Sequence, residues 1–135
     1  MAITKEKGDL GQSLIMADIL KRGYKVLVPL GEDWRFDLVV YRNSNFERIQ
    51  CKFDSSKDHV DYVFVNGRSC NNKFRKKYTI QEIDWIAVYH KPSDKIYYIP
   101  SKYIGNGRAG LFLRINLPKN NQKKNILWAK NFLNF

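Results

Sequence analysis

Between residues 8 and 22 the apolar side chains recur at helical spacing. Leu10, Leu14, Ala17 and Leu20 fall near one stripe, with Ile15 and Ile19 widening it, which predicts an amphipathic helix. Lys21 and Arg22 suit its C-terminal end, and Gly23 is a natural residue for ending it. The pattern then changes to short runs bounded by turn residues, the mark of strands. Lys25 to Leu30 is one such run, stopped by Pro29, Gly31 and the acidic turn Glu32-Asp33. Trp34 to Tyr41 and Phe46 to Phe53 are two more, joined through Arg42-Asn43-Ser44-Asn45. Val60 to Val65, Ile86 to Tyr89, Ile96 to Pro100 and Leu111 to Ile115 complete the strands. Thr79 and Glu82 have capping-box spacing and predict a short helical turn before Trp85. Residues 122–133 predict a closing helix with Ile126, Ala129 and Leu133 on its inner face. The order helix, strands, helix predicts an α/β or α+β fold, with a mixed central sheet flanked by helices. A chain of 135 residues, 44% of them apolar, is expected to form one domain over 1–135 with a real core.

The second and third strands carry the most informative polar residues. If Tyr41 opposes Phe46, Asp37 stands opposite Gln50; a turn at Ser44-Asn45 would set it opposite Lys52 instead. Either register keeps Asp37, Gln50 and Lys52 on one face, because strand side chains alternate. Phe36, Leu38 and Val40, with Ile49, Cys51 and Phe53, take the other face and are expected to supply the core. A polar strand face is usually just solvated. These three side chains also suit phosphodiester cleavage, which needs a cation to neutralise developing charge and acidify an attacking water. Asp37 can be a monodentate ligand, and the backbone carbonyl of Cys51 another. Gln50 can offer an amide oxygen or orient the water. Lys52 can stabilise the pentavalent phosphate or help deprotonate the water.

Charge adds a partner class. Lys and Arg number 24 against 13 Asp and Glu, a net +11, so polyanions and nucleic acid above all are expected. A ribosome-associated or merely sticky basic protein is the bland alternative. Arg68, Lys73, Arg75, Lys76 and Lys77 crowd into a predicted loop at about 66–78. Arginine can read guanine bidentately, so Arg68 and Arg75 are the better base readers there. Cys51 and Cys70 form neither a metal spacing nor a disulfide framework, and His59 and His90 are far apart in sequence. A catalytic metal would therefore use oxygen ligands, which points to Mg²⁺. No run is long enough for a membrane span, and Met1 to Lys7 holds no signal-type apolar region, so a cytoplasmic protein is expected.

Gly8-Asp9-Leu10-Gly11-Gln12, Arg35-Phe36-Asp37-Leu38-Val39 and Arg48-Ile49-Gln50-Cys51-Lys52 together resemble the PD-(D/E)-XK nuclease superfamily. Asn71 to Tyr78, Glu82 to Tyr89 and Pro118 to Lys124 are similar to its branch of intron-encoded homing endonucleases, closest to those of cyanobacterial group I introns. The resemblance spans nearly the whole chain. It implies a restriction-endonuclease-like core, cleavage of double-stranded DNA with Mg²⁺ (Mn²⁺ able to substitute), and a homo-oligomer, dimer or tetramer, on a pseudo-palindromic site. It also implies a metal-binding role for the residue at position 12. The pattern there is Gly-x-x-Gly-Glu, and this chain has Gln12, an amide without charge, natural or an inactivating substitution. Asp37 is left as the one carboxylate among the matched positions, with Asp9 a turn earlier as a possible substitute. A junction resolvase, a restriction-type nuclease and a cleavage-deficient DNA-binding protein are the alternatives.

Ser55, Ser56 and Lys57, directly after the catalytic strand, are candidate backbone contacts. Lys119, Lys123 and Lys124 are expected to reach flanking phosphates at the start of the closing helix. A 15.9 kDa subunit with one such site needs a second copy to cut both strands. Trp128, Phe132, Leu133 and Phe135 are the apolar residues expected at that interface.

Overall fold

The computed structural model describes residues 4–70, 75–105, 109–120 and 124–135, with the backbone alone at 4, 69, 70, 75 and 76. Helix α1 (Thr4–Lys21) opens the chain, and β1 (Lys25–Leu27), β2 (Leu38–Arg42), β3 (Asn45–Asp54) and β4 (Tyr62–Asn66) follow. Next come β5 (Arg68–Cys70), β6 (Arg75–Lys77), β7 (Trp85–His90), β8 (Lys95–Pro100), β9 (Gly110–Arg114) and β10 (Leu127–Trp128). Two 3₁₀ turns, Ser101–Tyr103 and Ala129–Phe132, are the other helical pieces among the described residues. No described helix is long and apolar enough to cross a membrane.

The central sheet runs β1-β2-β3-β7-β8, with β3 and β7 parallel and the other neighbours antiparallel. It is the mixed sheet expected, but among the described residues an α-helix lies on one face only. There, Ile15 and Ile19 of α1 pack on Leu38, Val40, Ile49, Ala87 and Tyr98. The other face is covered by a three-stranded sheet, β10-β9-β4, whose Val63, Val65, Leu111 and Leu113 meet Ile86, Val88 and Ile99. Alternation along β7 explains how one strand serves both layers: Ile86 and Val88 point one way and Ala87 the other. Burying each such aliphatic side chain contributes about 1.5–3 kcal/mol, so the sheet is held from both sides.

The helix presents a different stripe from the one expected. Gly11, Ile15 and Ile19 face the sheet, while Leu10 and Leu20 are 51% and 53% exposed. A side chain at Gly11 would meet the Phe53 ring at 2.9 Å, so only glycine lets the helix approach there. Gly23 ends the helix at φ 87°, as its position implied. Asp54, buried at the end of β3, accepts hydrogen bonds from the Phe64 amide (2.9 Å) and pairs with His59 Nδ1 (2.7 Å), joining the two sheets.

Two expectations are corrected. The closing helix at 122–133 is absent from its described part. Asn125 adopts a left-handed φ of 59°, Leu127–Trp128 pair with β9, and only Ala129–Phe132 coil, as a 3₁₀ turn. Ile126-Leu127-Trp128 are good strand formers, and pairing with β9 outweighs a weak helical periodicity. The basic loop at 66–78 is in part an antiparallel ribbon, β5–β6, that pairs Arg68 with Lys77 and Cys70 with Arg75.

Candidate active site

The hairpin register decides the geometry. Leu38 pairs with Ile49, Tyr41 with Phe46 and Arg42 with Asn45, so the turn is Asn43-Ser44, both at positive φ (50° and 64°). This two-residue turn matches the twist of the strands. It realises the first of the two expected registers, in which Asp37 faces Gln50. Asp37 lies just before β2 and is fixed by two bonds across the hairpin: its amide donates to Ile49 O (2.8 Å), and its Oδ2 accepts from the Cys51 amide (2.9 Å).

Burial raises the Asp37 carboxyl above its ordinary value, with the Cys51 amide and the charge of Lys52 pulling it back down. A carboxylate held short of full solvation gains from a nearby cation more than an exposed one does. Gln50 donates Nε2–H to the Cys51 carbonyl (3.3 Å), the same oxygen expected to bind metal. Lys52 Nζ donates to Arg68 O (2.9 Å) and lies 4.9 Å from the centre of the Tyr78 ring. The Cys51 thiol is free, and burial first, then the Asp37 charge, pushes it well up, as suits an inert core thiol. Of the apolar face, Leu38, Val40, Ile49 and Cys51 turn to α1 as expected, but Phe36 packs in the opposite layer, because regular alternation starts only at Leu38.

Gln12 and Asp37 line one cleft of about 350 Å³ between α1 and the β1–β2 connection, together with Asp9, Glu32, Asp33 and Trp34. Gln12 of the helix and Asp37 of the hairpin are thus brought together, while Gln50, Cys51 and Lys52 are not among the residues that line this cleft. Glu32 and Asp33 were legible only as an acidic turn; nothing in their spacing says they border the Asp37 cleft. Among the described residues, no three His, Cys, Asp or Glu side chains converge to hold a metal ion. Oxygen donors from Asp37, Gln12 and the Cys51 carbonyl would suit Mg²⁺, with Asp37 bringing the one negative charge among the matched positions.

The expected DNA contacts divide. Arg68 and Lys77 stand directly opposite each other at the root of the ribbon, Arg68 half-buried and Lys77 exposed. Arg75 and Lys76 lie on β6, while Lys73 and Lys123 are outside the described residues. Ser55 and Ser56 are half-buried and Lys57 exposed just past β3; Lys119 and Lys124 are exposed. With no closing helix in the described part of 122–133, no helix amides are found there to assist Lys119 and Lys124. The apolar C-terminus is used within the chain. Phe132 is buried in the core, and Phe135 stacks on Tyr98 at 4.4 Å beneath Arg42, 3.8 Å away.

Residues 2–135 match the family model of the PD-(D/E)XK endonuclease. No curated protein matches the chain. Among solved structures it is similar to a bacterial homing endonuclease, I-Ssp6803I, with TM-score 0.68 and 23% identity over 92% of this chain and 84% of that one. It is also similar to Hjc, a Holliday junction resolvase of the archaeal hyperthermophile Archaeoglobus fulgidus. That likeness has TM-score 0.51 and 10% identity, over 80% of this chain and 84% of that one. At these identities the two likenesses establish the fold.

Proposed function

We propose that this chain, which belongs to the PD-(D/E)XK endonuclease family, is a site-specific endonuclease of double-stranded DNA, of the homing type, that works with Mg²⁺ as a cytoplasmic homo-oligomer. One observation carries the reading: Asp37 shares a cleft with Gln12 and is coupled by charge to Lys52, whose ammonium reaches the root of a basic ribbon.

Asp37, the Gln12 amide and the Cys51 carbonyl would hold the ion, once Gln50 turns away from that carbonyl. When bound, the ion supplies charge neutralisation at phosphate and a more acidic water. Lys52 places its ammonium where negative charge grows on the phosphate, and Gln50 orients the attacking water. The ribbon cations hold the duplex through its phosphates and, at Arg68 or Arg75, through base edges.

Gln12 favours a second reading, a family member that binds DNA and scarcely cuts it, since an amide brings no charge to the ion. Cleavage of intron-insertion-site DNA with Mg²⁺, by this chain and its Gln12→Glu variant side by side, separates the two. We expect the variant to cut faster by on the order of tenfold or more, through tighter ion binding. A variant no faster than its parent would remove position 12 from the site. Salt-sensitive gel shifts without cutting by either protein would favour the binding reading.

A further inference from the structure

Lysine is a poor positioning device by itself: a flexible four-carbon stem carries a point charge. The Lys52 head makes two contacts with the base of the β5–β6 ribbon. Its Nζ donates to Arg68 O at 2.9 Å, and it lies 4.9 Å from the centre of the Tyr78 ring. Arg68 begins β5 and Tyr78 follows β6, and the Tyr78 amide donates to Gly67 O at 3.0 Å, closing the root. Arg35, two residues before Asp37, grips the same root. Its Nη2 donates to Lys77 O (2.9 Å), its guanidinium lies 4.5 Å from the Tyr78 ring centre, and its Nε pairs with Glu82 (2.8 Å).

This root is electrostatically incomplete. Arg68 and Lys77 are directly opposite, a like-charge pair that destabilises an antiparallel ladder. Arg68 Nε is buried and has no hydrogen-bond partner among the described residues. Buried donors are seldom left so, and an anionic acceptor would answer both deficits. Arg68 is also the residue whose carbonyl holds Lys52.

We propose that the ribbon root helps to position Lys52, with Tyr78 as the positioning residue, so that seating a backbone phosphate at Arg68 sets the catalytic lysine. The proposal rests on the nuclease reading for the word catalytic; the coupling itself does not need cleavage to be observed.

The test uses the full chain with isotopically labelled lysine. The Lys52 side-chain resonances are identified by their loss in Lys52→Arg. In the free protein they lie upfield, shifted by the Tyr78 ring; Tyr78→Phe keeps that shift and Tyr78→Leu abolishes it. Short mixed-sequence duplex DNA, added without metal, moves them. Arg68→Met keeps the free-protein shift and loses most of the DNA response. In single-turnover cleavage with Mg²⁺, Tyr78→Leu slows the rate about tenfold at saturating DNA, with Kd within about twofold of the parent, and Tyr78→Phe restores the rate. Should Tyr78→Leu not fold, the Tyr78→Phe and Arg68→Met spectra still decide. Lys52 resonances without an upfield shift, or unmoved by DNA that gel shifts show to be bound, would overturn the proposal. Resonances that move while neither Mg²⁺ nor Mn²⁺ gives cutting would uphold the coupling and defeat the nuclease reading instead.

Discussion

Two of the molecule's antiparallel pairs, β2–β3 and β5–β6, share a backbone geometry and differ in what closes around them. In β2–β3, Leu38, Val40 and Ile49 are fully buried against α1, and the charges are complementary: Arg42 makes two hydrogen bonds to Glu47. In β5–β6, Arg68 faces Lys77, and no hydrophobic core cluster includes β5 or β6 residues among the described side chains. The first pair is stable in its own surroundings. The second carries like charges that a polyanion would neutralise. On the proposed function a catalytic residue needs the former setting and a reading element the latter, and Lys52 spans them, rooted in β3 and contacting Arg68 at its tip.

The largest way to break the contrast is at that bridge. Lys52→Ala should lower single-turnover cleavage by about a thousandfold, as loss of one donor to a developing charge does. Its DNA affinity should change far less, because the ribbon cations remain. An equal fall in affinity and rate would assign Lys52 to binding alone. Next in size is the core of the hairpin. Ile49→Ala should destabilise the protein by about 3–4 kcal/mol, through lost transfer energy and a cavity under α1. Denaturation followed by tryptophan fluorescence measures this, and a loss under about 1 kcal/mol would mean that the α1 layer is loosely packed.

What could be read before the structure follows the same division. The strands and the two possible hairpin registers were legible because alternation and a tight turn are local properties, and the structure chose between the registers. The helix itself was legible, but its buried stripe was not. That stripe depends on Gly11 meeting Phe53, a contact between residues far apart in the chain. The closing helix failed for a related reason: Ile126, Ala129 and Leu133 satisfy helical spacing, yet pairing with β9 takes Leu127 and Trp128 first. At the site, Gln12 and Asp37 could be joined beforehand only through the family resemblance. For Arg35, Tyr78, Glu32 and Asp33 the sequence held no signal of where they sit, since their places come from tertiary packing around the ribbon and the cleft.

A smaller effect tests the complementary charges of the hairpin. Arg42 lowers the Glu47 carboxyl from its ordinary 4.5, helped by the Trp85 indole, while burial opposes them. A depressed folded-state pKa stabilises the protein above the unfolded value and loses that contribution as pH falls through the folded one. Glu47→Gln can retain the acceptor for Trp85 Nε1 and removes the charge. It should cost about 1 kcal/mol near neutrality. The gap from the parent should close as pH drops below 4.5. A gap independent of pH would show that packing, not charge, is what the substitution removed.

The smallest stability change carries the opposite sign and completes the contrast. Lys77→Gln removes one member of the like-charge pair at the ribbon root, so it should leave stability unchanged or raise it by a few tenths of a kcal/mol. Its cost should appear only with DNA. If Lys77 neutralises one phosphate, the slope of log affinity against log salt should shallow by about 0.9. Because Lys77 is exposed and its carbonyl, not its ammonium, receives Arg35, the root should keep its shape in the variant. An unchanged slope would place DNA away from β6. A loss of stability would mean that the two cations are neutralised within the protein, and the ribbon would then need no polyanion to complete it.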